Sequence, residues 1–188
     1  MLFKNEVLLP GNEMLLPVEG ATALALIAAS LKTSKYIGVV QTKEEGGFYS
    51  TGTLGRVLDY EEIEPDKICL FVEGIKCFDI LSFKTEYALI RGEVRYTNAT
   101  TPHQEFSREK LKKALAHYFL KLNMQPNWEV IHNYSDKKLM QYLLNFCPFQ
   151  SIEKQCLLEA KSLHEQCFLL TQLVELSFPR CRFEGAMN

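Results

Sequence analysis

The spacing of apolar residues changes once along the chain, near residue 100, and that change limits the folds open to it. From residue 36 to about 96 the sequence reads in extended segments: YIGVVQT (36–42), FYSTGTLGRVLDY (48–60), KICLFVEG (67–74), IKCFDILSF (75–83) and YALIRGEVRY (87–96). These segments are rich in β-branched and aromatic residues and end at glycine, proline or acidic turns, the pattern of a sheet with hairpin connections. One stretch differs: over 19–32, Ala21, Leu24, Ile27, Ala28 and Leu31 recur at three and four residues, which predicts a short helix.

From residue 105 the period becomes helical. Phe106, Leu111, Ala114, Leu115, Tyr118, Phe119 and Leu122 make one apolar stripe, with Lys110, Lys112, Lys113 and Lys121 largely off it. Ser135 is placed to cap a helix over 135–146, which Pro148 stops. Another helix begins at Ser151, and a last one opens with Ser162-Leu163-His164-Glu165, the spacing of a capping box. The polar segment TNATTPHQ (97–104) reads as the connection between the two halves. The expected organisation is a β-rich subdomain over 1–100, a helical subdomain over 105–178 and a tail over 179–188. The expected fold class is α+β.

Composition excludes several function classes. With 188 residues, 47% of them hydrophobic, the chain has enough material for a core without disulfides or metal. A formal net charge of −2 argues against nucleic acid as a partner, because phosphate neutralisation needs a basic face. The densest basic cluster, REKLKK at 108–113, reads as the solvated face of an amphipathic helix. The six cysteines, Cys69, Cys77, Cys147, Cys156, Cys167 and Cys181, show no CxxC spacing, and most are expected to be small buried hydrophobes. The first residues lack a signal-peptide pattern, and the longest small-apolar run, ATALALIAAS (21–30), is about half the ~20 residues of a membrane helix. A cytoplasmic protein with no membrane partner is expected, for which the triplets at Asn98 and Asn133 are chance glycosylation matches.

The motif search finds no catalytic or cofactor site. Gly47 and Gly52 have the glycine spacing of a phosphate loop, but Thr53 and Leu54 stand where the lysine and hydroxyl residue belong. G-x-G-x-x-G is absent, so the glycines of EEGGFYSTGTLGRV (44–57) read as bends and close approaches within a sheet. His164-Glu165 is followed at the second ligand position by Phe168, so no H-E-x-x-H zinc helix exists. His103, His117 and His132 are single and dispersed, and no G-x-S-x-G elbow occurs.

Four stretches carry a resemblance. VLLPGNEMLLPV (7–18) looks like a strand ending in a Leu/Phe-Pro-Gly turn, and Gly52-Thr53-Leu54-Gly55-Arg56-Val57 like a following G-T strand. Val72 to Ile80 stands where a G-x-x-R-F-x-I turn would come, and Glu153-Lys154-Gln155-Cys156-Leu157-Leu158-Glu159 matches a Glu-Lys-Gln-x-Leu-Leu-Glu core before a last helix. In this order they resemble the N-terminal, substrate-binding domain of Lon proteases. The chain departs from that pattern at Lys76-Cys77, where the family's turn has arginine, and at VEGATALAL, where Phe-Glu-Pro-Arg-Tyr commonly opens the first helix.

The resemblance implies a PUA-like β-rich subdomain, a strongly bent antiparallel sheet or pseudo-barrel with one short helix, followed by a helical bundle. It also implies a non-catalytic polypeptide-recognition module without the ATPase and protease domains that follow it in full-length Lon, and without a cofactor. Its expected partners are unfolded or tagged polypeptides, or a partner protease for which it is adaptor or assembly subunit. RNA binding is the alternative that PUA-like folds suggest, and the helical half could serve a homo-oligomer. The aromatic residues beside turns, Phe48, Tyr49 and Phe83, are the candidate peptide-binding residues.

Overall fold

The computed structural model describes residues 1–86, 89–97, 108–121, 123–147 and 149–176. The chain divides into two compact units, Met1–Asn98 with Phe149–Leu158, and Ala99–Pro148 with Glu159–Asn188. The expected connection over 97–104, apart from Thr97, lies outside the described residues, as do the tail and Cys181.

The first unit holds six strands: β1 (Leu2–Phe3), β2 (Glu13–Glu19), β3 (Tyr36–Gln41), β4 (Thr51–Glu64), β5 (Lys67–Glu86) and β6 (Leu89–Tyr96). Helix α1 (Ala21–Leu31) lies between β2 and β3 in sequence. The fold is α+β, as expected. The sheet runs β1-β3-β4-β5-β2, with β6 also on β5, and does not close into a barrel. All pairings are antiparallel except β1 with β3. The core is made by one face of the sheet and the inner side of α1, with Leu16, Val18, Ile27, Val57, Leu70 and Val72 at its centre.

Strand β5 corrects one reading of the sequence. KICLFVEG and IKCFDILSF form one continuous strand of 20 residues, without a turn at Gly74. Its first half pairs with β2 on one edge and β4 on the other, and its second half pairs with β6. Gly74 is needed because the Leu8–Gly11 segment passes against it. A Cβ there would lie 2.2 Å from the Leu9 carbonyl oxygen, and the Gly11 amide donates to the Gly74 carbonyl at 2.7 Å.

The glycines of 44–57 are sheet architecture, as read. Gly46 and Gly47 turn the chain with φ of 97° and 78°, and a Cβ at Gly52 would collide with the Val39 carbonyl at 2.6 Å. Thr53, fully buried in β4, donates its hydroxyl to the Leu8 carbonyl at 2.6 Å. The short segment Phe149–Leu158 adds a polar tie of the same kind. Buried Gln155, on α5 (Ser151–Glu159), donates its amide to the Thr51 carbonyl at 3.2 Å.

The second unit contains α2 (Arg108–Lys121), α3 (Trp128–Asn133), α4 (Asp136–Phe146) and α6 (Leu163–Leu176). Leu111, Ala114, Leu115, Tyr118 and Phe119 are buried on α2, as the stripe predicts; Phe106 and Leu122 lie outside the described residues. Ser135 caps α4 by accepting from the Lys138 amide, and Ser162 caps α6 by accepting from the Glu165 amide at 3.1 Å. The Glu165 carboxylate reaches back one residue further than a capping box requires, to the Lys161 amide at 2.8 Å.

Helix α3 has no counterpart in the sequence reading. It is one and a half turns long, too short to show a period, and is held by its ends. Asn127 caps its start, and the Arg108 guanidinium donates to the carbonyls of Ile131, His132 and Tyr134 at its finish. A cation among the last carbonyls of a helix offsets the partial negative charge collected there.

Candidate functional site: an apolar cleft beside the β5–β6 hairpin

The cleft arises from an irregularity in pairing. Along β5 and β6, Phe78 lies opposite Tyr96 and Ile80 opposite Val94, so these four side chains share a face. Strict alternation would put Ser82 on that face next. A register shift between Ile80 and Ser82 makes Leu81 a bulge, and the following pair on the face becomes Phe83 with Gly92. The bulge thus carries Phe83 onto the apolar face, where it faces a residue with no side chain.

The resulting cleft has a volume of about 280 Å³. The hairpin supplies Ile80, Phe83, Ile90, Val94 and Tyr96, while Leu26 and Ser30 of α1 and Tyr36 of β3 form the facing side. Phe48, just after the Gly46-Gly47 turn, packs edge-to-face on Phe83 with ring centroids 4.9 Å apart. Phe83 nonetheless stays 53% exposed, and Tyr36, Ile90 and Tyr96 are exposed as well. The Lys76 ammonium sits over the Tyr96 ring, 5.6 Å from its centroid, and places one cation at the rim.

Of the three candidate residues, the structure brings Phe48 and Phe83 together and places Tyr49 apart from them. Tyr49 carries the Lys43 ammonium over its ring at 5.2 Å, and its amide donates to the Gln41 carbonyl at 3.0 Å. The sequence reading missed Ile90, Val94 and Tyr96. Their signal is present in the alternation of LIRGEVRY (89–96), but which side of the alternation stays open depends on the partner strand. The helical unit has a cavity of about 500 Å³ lined by Phe119, Leu120, Met124, Pro126 and Trp128, and none of the candidate residues lies there.

Among the described residues no group of three or more His, Cys, Asp and Glu side chains could hold a metal ion. Burial, helped by the Asp79 charge, pushes the Cys77 thiol up to about 11, and burial pushes Cys147 up to about 12. Both are inert neutral thiols at physiological pH rather than nucleophiles. Cys147 and Cys167 are buried as expected; Cys69 and Cys77 are half-buried and Cys156 is exposed, against expectation. Cys156 is exposed because it lies on α5 one residue from Gln155 and Leu157, whose side chains turn inward. Among the described residues no helix is long and apolar enough to cross a membrane.

The first unit is an open α+β sheet with an exposed apolar cleft. The chain belongs to the family described as the ATP-dependent protease La (LON) substrate-binding domain, which it matches over residues 1–175. The solved structures agree on the fold. A Lon N-terminal domain protein from Xanthomonas campestris superposes with a TM-score of 0.65 at 23% identity, covering 92% of this chain and 95% of that one. The N-terminal domain of Mycobacterium avium complex Lon protease gives the same TM-score at 20% identity, with 93% and 95% covered. No curated protein matches the chain.

Proposed function

We propose that the protein is a non-catalytic polypeptide-recognition module, acting in the cytoplasm, that holds apolar side chains of unfolded or tagged polypeptide in the cleft beside the β5–β6 hairpin. The observation that carries this reading is the Phe48–Phe83 pair, an aromatic contact set in an apolar cleft and left half open to water. Apolar area of this kind gains by being covered, and a segment with one or two large side chains fits the volume. Membership of a substrate-binding family supports the same ligand class.

The test is fluorescence anisotropy of a labelled, permanently unfolded polypeptide titrated with the protein, with an RNA oligomer as competitor. Saturable binding that RNA does not displace is expected, weakened about tenfold by Phe83→Ser in a variant that still folds. Unchanged affinity in folded Phe83→Ser and Phe48→Ser variants would remove the cleft from the account. Displacement by RNA, with binding that falls steeply with salt, would favour the nucleic-acid reading instead. Labelled casein is expected to stay intact with the protein alone, with and without ATP; its cleavage would overturn the non-catalytic assignment.

A further inference from the structure

The outer face of the β2–β5–β4 sheet, opposite the core of its unit, has an unusual composition. Residues directly opposite one another in paired strands point to the same side, so the register defines four rows across this face. Lys67 stands between Glu64 and Glu19, Cys69 between Glu61 and Pro17, Phe71 between Asp59 and Leu15, and Glu73 between Arg56 and Glu13. The intervening residues of β5, Ile68, Leu70 and Val72, are buried in the core, which fixes this set as the outward one.

The face therefore has an apolar centre, Leu15, Pro17, Cys69 and Phe71, bordered by acidic residues. Leu15 is 62% exposed at that centre. Arg56, one of the face's two cations, is already bound to Glu73, its Nε donating at 3.1 Å. Glu61 and Asp59 flank the apolar centre with no cation opposite them in their rows. Like charges gathered on neighbouring strands oppose folding, and an apolar centre among them forfeits burial, so both costs are relieved by one kind of occupant.

We propose that this sheet face is a second docking surface, adjoining the cleft on the side where Tyr36 pairs with Arg56, whose occupant is an extended polypeptide segment with a short apolar stretch flanked at each end by lysine or arginine. The pattern matches the surface: apolar side chains that point down from the extended segment meet the apolar centre, and the cations before and after them meet the carboxylates at its border. The face commits to basic partners, because an acidic segment would meet like charge at Asp59 and Glu61 on one flank and at Glu13 and Glu19 at the ends.

The experiment titrates the whole protein carrying Phe83→Ser, which weakens the cleft, into two short labelled peptides, one a valine stretch flanked by lysines and the other the same stretch flanked by glutamates. The lysine peptide is expected to bind, the glutamate peptide not, and raising the salt is expected to weaken the first several-fold. The double variant Asp59→Lys, Glu61→Lys is expected to reduce binding about tenfold, and Leu15→Ser several-fold. Binding of the lysine peptide with the cleft weakened in this way separates this surface from the cleft. A milder pair, Asp59→Asn with Glu61→Gln, is expected to raise the melting temperature while weakening the lysine peptide, a combination that damage to the fold does not produce. Equal binding of the two peptides, no binding of the lysine peptide, or lysine-peptide binding that survives the charge reversals would each overturn the proposal.

Discussion

Strand β5 gives the same alternation of apolar side chains two different outcomes. In its first half Ile68, Leu70 and Val72 are shut into the core, Leu70 completely; in its second half Phe83, on the face that lines the cleft, is 53% exposed. The sequence pattern does not separate the halves. What separates them is a register shift against β4 between Leu54 and Gly55, which turns Phe78 and Ile80 to the side of the sheet opposite Leu70 and Val72, and company: the first half has β2 on one edge, β4 on the other and a core shared with α1, whereas beyond Asp79 the second half is paired with β6 alone. The first half spends its apolar surface on stability, and the second keeps it available for a ligand.

The largest effect lies at the point where the halves meet. Gly74→Ala puts a methyl group where the Leu9 carbonyl already stands, 2.2 Å away, and backbone on both sides has to move. A loss of about 4 kcal/mol is expected in chemical denaturation, in the range of severe overpacking. A loss below about 1 kcal/mol would mean that the Leu8–Gly11 segment is not held against β5 and that the first half is less enclosed than described.

The contrast is then tested by one substitution in each half. Leu70→Ala empties a fully buried site and is expected to cost about 3 kcal/mol. Phe83→Ser changes an exposed ring and is expected to cost under about 1 kcal/mol while carrying the binding loss described above. Equal destabilisation by the two variants would erase the distinction, since it would make Phe83 a structural residue.

How far the sequence reaches follows the same line. Features with a local cause were readable: the α-helical period of α1 and α2, the caps at Ser135 and Ser162, and the glycine turn at 46–47 all depend on neighbours a few residues away. The continuity of β5 through Gly74 was not, because a glycine inside a strand and a glycine at a turn look alike until the segment packed against it is known. Helix α3 escaped because its finish is held by Arg108, far away in the chain, rather than by its own residues. Phe48 and Phe83 could each be picked as aromatic residues beside turns. Their meeting depends on a one-residue bulge at Leu81, and nothing in the composition of that segment marks it.

The smallest effect concerns Cys77, which precedes Phe78 at the edge of the enclosed half. Burial first and the Asp79 charge second raise its thiol from 9.0 to about 11, against a lowering contribution from Thr53. Between these values the unfolded chain has lost the proton that the folded chain keeps, so stability falls with pH across that window and is fully present below it. Peptide-mapped alkylation is expected to give Cys77 a midpoint near 11, with exposed Cys156 reacting faster at every pH below that. Asp79→Asn removes the lesser cause and is expected to lower the midpoint only partly, leaving it above 9.0. A midpoint at 9.0 in the unaltered protein would show water reaching Cys77 freely, and the boundary between the enclosed and open halves of β5 would then lie nearer Gly74 than Phe78.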